Sequence, residues 1–408
     1  MMFDDPSYLI QFGYNAQTLV KRAMKKDHAD GVILSPTDYP LEKNKQLAGK
    51  IKQNDWTVLC DPQYYIPRTE RDAADSYSYF DSSGGEQFET MIIRRDDDRE
   101  ELCRQILEVQ NDLQVDAYIA PARFIDALAE RKIKDWKELT STFIEIAETE
   151  GRDIPVFASL PVDGRVISTP EERNDLLDHV TSLDPDGFYV SVEYDMDNRY
   201  PLTGVQDVHA YLDLHVQLRS NHFEIIAGHT HHISHLLYGL GINATASGHY
   251  KNTKAFDTNR WIPDDGFGRQ VVYYYSDPLL NDLRIEQGLQ SIYASPVLDI
   301  DDVRNYSPYE DRLFRTSPDS ADWKMSDASW DHYIWSCYDI SRKYHGLDLN
   351  ERIETARTHL SDAKELHEDV NDAVGPIDNI EADIFDEWPT AFDSIASSLD
   401  KRTLERII

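Results

Sequence analysis

Cysteine is nearly missing from this chain. Cys60, Cys103 and Cys337 are the whole complement of 408 residues, far apart and without a C-x-x-C pair. A disulfide framework and a four-cysteine zinc site are thereby excluded. Long apolar runs are missing too: no window approaches about 18 consecutive apolar residues, the length a helical membrane span needs. The first residues, MMFDDPSYLIQFGYN, have no basic region leading into an apolar core. No secretory leader is expected, and a cytoplasmic protein without membrane partners is. Positive charge is scarce, with 41 Lys and Arg against 75 Asp and Glu, a net charge of −34. That balance argues against broad, nonspecific binding to phosphate backbones. It suggests adaptation to a cytosol of molar salt, where the screening length falls to about 3 Å and acidity alone does not exclude an anionic partner.

What is present is a repeating alternation of short apolar runs and helix-like stretches. Strands are predicted at 8–12, 31–34, 57–60, 117–120, 156–160 and 187–192, with helices at 15–26, 42–53, 99–113 and 208–218. Thr169-Pro170-Glu171-Glu172 opens another helix, with Thr as cap and Pro in the first turn. Two more strands lie in 223–261, FEIIAGHTHHISHLLYGLGINATASGHYKNTKAFDTNRW, which holds apolar run, polar tip, helix and apolar run again. Eight strand–helix units fit an α/β fold of the (β/α)8 TIM-barrel type better than an open doubly wound sheet, and no dinucleotide glycine fingerprint follows the first strand. The polar excursion 64–95 is too long for an ordinary loop and reads as a lid or an insertion. Beyond 257 the pattern changes: 271–289 reads as one more strand and a helix, 301–329 as turns, and 330–370 as helix. The expected organisation is a barrel over 1–300 and a helical C-terminal extension over 301–408. That appendage closes the barrel or makes a homo-oligomer contact.

Barrels gather reactive groups at the C-terminal ends of their strands. Asp61 follows Thr57-Val-Leu-Cys60 directly, so it points into the mouth as nucleophile, acid/base or metal ligand, unless it only caps the turn at Pro62. Glu193 ends the sixth strand; alternation puts it on one side with Ser191 and Asp195. Asp61 with Glu193 or Asp195 would make a pair of catalytic carboxylates; a salt bridge from Glu193 to Arg123 or Arg199 is the structural alternative. Asn15, Asp38, Gln63, Arg123 and Tyr250 stand at other tips as substrate-binding candidates. Six of the 14 histidines fall between His222 and His249. Gly228-His-Thr-His-His matches the last motif of calcineurin-like metallophosphoesterases, but their earlier motifs do not stand in order, and the match is rejected. No cofactor is expected. A divalent metal, if one binds, would take His229, His231 and Asp61. Gly228 and Gly248 sit where barrels often cradle a phosphate, with Lys251 adding a charge.

The order of the tips resembles the tRNA-guanine transglycosylase superfamily, barrels that exchange a base in nucleic acid for a deazaguanine. The resemblance rests on Gly13-Tyr-Asn-Ala-Gln-Thr-Leu-Val-Lys21, on Ser35-Pro-Thr-Asp-Tyr-Pro-Leu41 and on Asp61-Pro-Gln63, with Asp81-Ser-Ser-Gly-Gly85 displaced into the excursion. It covers roughly residues 8 to 255. The family's zinc cluster is missing from 256–300, and Ala246-Ser247 stands where its strand-eight Asp belongs. The resemblance implies a glycosyltransferase acting on a nucleotide or nucleic acid, with Asp61 as the base-side acid. The alternatives are a metal-dependent hydrolase or lyase on a small molecule, phosphorylated or not, and a barrel kept as an assembly protein.

Overall fold

The computed structural model describes residues 1–67, 72–80, 85–194, 202–230, 232–261, 272–315, 317–320, 323, 327–377 and 380–399. In chain order its elements begin β1 (Ser7–Gln11), α1 (Gln17–Met24), β2 (Gly31–Leu34), α2 (Leu41–Lys52), β3 (Thr57–Cys60), α3 (Gly85–Arg94), α4 (Asp96–Asp112) and β4 (Tyr118–Ala120). Next come α5 (Glu130–Glu150), β5 (Val156–Asp163), α6 (Pro170–Val180), β6 (Gly187–Glu193), α7 (Val205–Ser220), β7 (Glu224–Gly228), α8 (Ser234–Gly239) and β8 (Ala244–Ser247). The remainder is α9 (Lys251–Lys254), β9 (Tyr273–Ser276), β10 (Asn281–Arg284), α10 (Gln290–Tyr293), α11 (Asp311–Phe314), α12 (Ala328–Arg342), α13 (Leu349–Val374) and α14 (Ile384–Ser398).

Eight strands run parallel in the order β3-β2-β1-β8-β7-β6-β5-β4, a (β/α)8 barrel open only between β3 and β4. Alternation divides every strand between two cores. Leu9, Ile33, Leu59, Ile119, Phe157, Tyr189, Ile226 and Ala246 fill the inside. Tyr8, Ile10, Val32, Leu34, Val58, Cys60, Tyr118, Val190 and Ile225 face the helices. The β3–β4 seam is bridged by Asp116: its N–H donates to the Val58 carbonyl at 2.8 Å, and its carboxylate accepts from the Val58 N–H at 2.8 Å. The same device recurs at alternate seams. Asp30 accepts from the Tyr8 N–H at 2.8 Å, Asp186 from Val156 at 2.7 Å and Asn243 from Ile225 at 3.0 Å. Each Asp or Asn stands one residue before an even-numbered strand, or two before β4, and satisfies the N–H of the first or second residue of the preceding strand.

After β8 the chain does not place its eighth helix at once. It forms the antiparallel β9–β10 hairpin, where 271–289 reads as strand and helix from sequence; Asp277-Pro278 turns the chain instead. The hairpin shares a second core, Tyr274, Leu279, Leu283, Val303, Leu313, Trp323 and Val370 among its members, with segments on both sides of residue 300. The chain then returns as α12, which packs on β1, α1 and α8. Ser247 Oγ lies 3.2 Å from Tyr333 Oη, Arg22 of α1 donates to Asp331 at 2.9 Å, and Arg342 pairs with Asp30. Part of the expected appendage is therefore the barrel's own eighth helix. α13 and α14 cover α8 and α7. No helix among the described residues is long and apolar enough to cross a membrane.

Candidate active site

Two residues beyond each inner-core side chain, the C-terminal rim carries Gln11, Ser35, Asp61, Pro121, Ser159, Ser191, Gly228 and Gly248. The five polar members are all buried. A ring of buried polar groups above an apolar core has to be justified by bonds or by a ligand, since an unmet buried group costs about 1–3 kcal/mol.

Asp61 is completely buried. Its Oδ1 accepts from the Gln63 N–H at 2.9 Å and from Tyr65 Oη at 2.8 Å, while Oδ2 has no partner. Burial lifts this carboxyl to about 6, against the pull of the Gln63 and Tyr65 bonds and the Arg260 charge. Gln63, at φ 55°, turns its carbonyl to Ser35 Oγ at 2.8 Å and Thr37 Oγ1 at 2.6 Å and leaves Nε2 unmet. Ser35 Oγ also lies 2.6 Å from Asp38, which pairs with Arg260. Tyr189 donates to Gln11 Oε1 at 2.9 Å; Gln11 Nε2, Ser159 Oγ and Ser191 Oγ have no partner within hydrogen-bond geometry. His229, at φ 57°, is buried with both ring nitrogens outside hydrogen-bond geometry, although the Thr253 backbone lies near. Burial and the neighbouring Arg260 charge hold it down to about 3, so it is a neutral imidazole.

The mouth is plugged. Segment 255–261 folds over it and sets Phe256 and Trp261 against Tyr65, at centroid separations of 5.2 and 5.0 Å, with the His229 ring 5.4 Å from Phe256. Trp261 Nε1 donates to Thr37 Oγ1 at 3.2 Å. Glu193 anchors this plug, accepting from the Thr258 N–H at 2.5 Å and from its hydroxyl at 2.8 Å. Burial raises the Glu193 carboxyl against those two bonds. Beside His229, a cavity of about 20 Å³ between Tyr194, Tyr211, Phe256 and Trp388 has room for one water-sized group.

The rim thus brings Asp61, Gln63, Asp38, Gly228 and His229 round one mouth. Glu193 lies there too, but among the described residues no group bonds both it and Asp61. Arg123 turns away: its guanidinium donates to the Tyr64 and Ile66 carbonyls and stacks 4.0 Å over the Tyr64 ring. Asn15 is exposed in the β1–α1 loop. Tyr250 packs its ring, tilted, against His249, 3.9 Å between centroids. Lys251 opens α9, and its side chain, Asp195 and His231 lie outside the described residues. Gly228 and Gly248 are tightly packed: a Cβ would meet Ser191 Oγ at 2.7 Å on the first and Thr253 Oγ1 at 2.4 Å on the second. The Gly248 N–H is already bonded to the Thr253 carbonyl at 3.0 Å. Among the described residues no third His, Cys or carboxylate joins Asp61 and His229 within ligand range. Sequence reasoning missed Tyr65, Tyr189, Arg260 and Trp261. Only the Arg260-Trp261 pair, after the last barrel strand, offered a signal.

No family model matches this chain, and no curated protein does. Among solved structures it is similar to two fungal β-1,4-galactanases, at 10% identity, TM-score 0.33, covering 55% of this chain and 73% of that one. It is similar to an L-ribulose 3-epimerase at 10% identity, TM-score 0.34, covering 64% and 89%. A spore cortex-lytic enzyme of Bacillus megaterium matches at 10% and TM-score 0.33 over 55% of this chain; the match spans half of that protein's length, 50%. None of these is a tRNA-guanine transglycosylase, and that resemblance is withdrawn. Physically, its motif residues serve other ends here: Gln63 braces Ser35 and Thr37, and Asp38 pairs with Arg260.

Proposed function

We propose that this barrel is an enzyme that moves a proton on a small, neutral, polar molecule held at its C-terminal mouth, with Asp61 as the acid/base. The observation that carries the reading is the asymmetry of Asp61. One oxygen is fixed by two donors, the other faces no partner, and burial brings the carboxyl to about 6. A group poised near neutrality can both give and take a proton. Among the described residues, the unmet atoms around it include two amide nitrogens, on Gln11 and Gln63, while the Ser159 and Ser191 hydroxyls lie beside Tyr65 and Tyr189 but outside hydrogen-bond geometry. Such a set suits hydroxyl and carbonyl oxygens. It suits a phosphate poorly, because the buried cation of the mouth, Arg260, is engaged with Asp38. Tyr65, Phe256 and Trp261 would exclude water once a ligand is seated. Admission requires segment 255–261 to lift, and the Glu193–Thr258 bonds are the latch.

The closed mouth also favours a second reading, a barrel retained for assembly, because a completely buried Asp61 cannot meet a substrate while the plug is seated. A thermal-shift screen of polyols, monosaccharides and hydroxy-carbonyl compounds separates the two. The enzyme reading expects a compound that stabilises the wild type, loses that effect in Asp61→Asn and Gln63→Ala, and exchanges a carbon-bound hydrogen with D2O only with the wild type. Binding and exchange that survive Asp61→Asn sink the assignment of Asp61. A screen with no binder supports the assembly reading.

A further inference from the structure

We propose that His235, Asp277 and His359 form a site for one divalent transition metal of the zinc type, which clips the β9–β10 hairpin and α13 to the barrel. The inference is independent of the proton-transfer reading, because the three residues lie outside the barrel wall, on α8, on the hairpin turn and on α13. Their ligand atoms all fall within 4.8 Å of one another. His235 Nε2 is 2.9 Å and His359 Nε2 is 3.7 Å from the same carboxylate oxygen, Asp277 Oδ1. Two imidazoles and one carboxylate, with a fourth position for solvent, are a donor set that zinc accepts.

The groups behind the ligands are arranged as ligation requires. Tyr344 Oη lies 2.9 Å from His235 Nδ1 and so sets which nitrogen turns towards Asp277, as outer partners of metal-bound imidazoles do. Lys343 Nζ holds Asp277 Oδ2 at 2.5 Å, and Oδ1, which also accepts from Tyr275 Oη at 3.2 Å, is the oxygen turned to both imidazoles. A cavity of about 170 Å³, walled by Asp277, Arg304, Asn305, Ser336, Asp339 and Lys343, lies beside Asp277. Seating the ion at about 2.0–2.1 Å from both nitrogens requires the two stacked rings, 3.8 Å between centroids, to part slightly.

The test uses the full chain, purified without a histidine tag, stripped with a chelator and titrated with Zn2+ alone. The expected result is one equivalent bound, a rise in Tm, and visible absorption bands when Co2+ replaces Zn2+. In His359→Gln the amide can still donate to the Asp277 carbonyl, which His359 Nε2 reaches at 3.2 Å, so the variant keeps its fold. It should bind Zn2+ at least about tenfold more weakly. Stripped wild type that takes up no Zn2+, or an equal Zn2+-dependent rise in Tm in His359→Gln and Asp277→Asn, overturns the site.

Discussion

The buried carboxyl of Asp61 makes stability depend on pH in a direction opposite to most paired acids. Its folded value, about 6, lies above the ordinary 3.8, so the folded protein holds this proton more tightly than the unfolded chain does. The stabilisation from the bound proton is complete below the unfolded value and is lost as pH rises through about 6. The rise from 3.8 to about 6, at about 1.36 kcal/mol for each tenfold change in proton affinity, puts the cost of ionising Asp61 in place at about 3 kcal/mol. Asp61→Asn removes the charge and keeps the shape. Its effect on the bonds from Tyr65 and the Gln63 N–H is largely the same at every pH, so a comparison across pH isolates the ionisation. At about pH 5 roughly half of the cost is already present, and by about pH 8 all of it, so Asp61→Asn should gain about 1.5 kcal/mol on wild type between those conditions. Urea unfolding of both proteins at the two pH values, followed by fluorescence, measures the change. A stability difference that is the same at both refutes the raised carboxyl, and with it the physical basis for Asp61 as an acid/base.

Three further outcomes follow from particular contacts. Gly228→Ala forces a Cβ to 2.7 Å from both Ser191 Oγ and Tyr189 Cε2, and should cost about 1–3 kcal/mol in urea unfolding; an unchanged midpoint would mean the rim yields freely. Glu193→Ala leaves two Thr258 donors, its N–H and its hydroxyl, without the one oxygen that accepts both, at about 1–3 kcal/mol. Amides of 255–261 should then exchange faster with D2O, and protection that stays at the wild-type level removes Glu193 as the latch. Ending the chain after residue 327 takes away α12 together with α13 and α14, and uncovers Tyr8 and Ser247 on the outer barrel wall. Such a truncation should give no cooperative thermal transition by circular dichroism; a sharp one would deny α12 its place as eighth helix.

The strands were legible because each is a short apolar run alternating between two faces, closed by a polar residue at the mouth. The expected 31–34 and 57–60 coincide with β2 and β3, and the others differ only at their ends, as with 156–160 against Val156–Asp163. Less visible was the pattern beneath them. Asp30-Gly31, Asp116-Ala117, Asp186-Gly187 and Asn243-Ala244 all precede even-numbered strands. Each pairs an acceptor for the neighbouring N–H with a small residue where the inside is crowded; a Cβ on Gly187 would meet the Glu224 carbonyl at 2.3 Å. The hairpin at 273–284 escapes the sequence reading because Leu279-Leu280-Asn281-Asp282-Leu283 mimics a helical stripe, whereas Leu279 and Leu283 fill a core that only the returning chain completes and Leu280 packs with the barrel's own core.

The site was legible only where chemistry is local to a strand end. Asp61 and His229 could be placed from their strands, but the groups that give them character come from afar. Arg260 reaches back to the Phe12 carbonyl at 3.2 Å and to Asp38, and Trp261 reaches Thr37, contacts more than 200 positions apart in the chain. No periodicity encodes such a meeting. The same detour explains three features at once. Because the chain leaves β8 across the mouth instead of descending into a helix, it first supplies the plug at 255–261. It then builds the hairpin whose turn carries Asp277 to His235, and returns as α12 to complete the ring of helices. Plug, hairpin and eighth helix are therefore consecutive parts of one excursion. Opening the mouth by cutting the Glu193 latch moves its first part, while the His235–Asp277 contact at 2.9 Å and the Arg342–Asp30 pair hold the rest to the barrel. In Glu193→Ala, faster exchange should accordingly stop short of β9; exchange that spreads into 273–284 would show that the plug, rather than those contacts, keeps the hairpin in place.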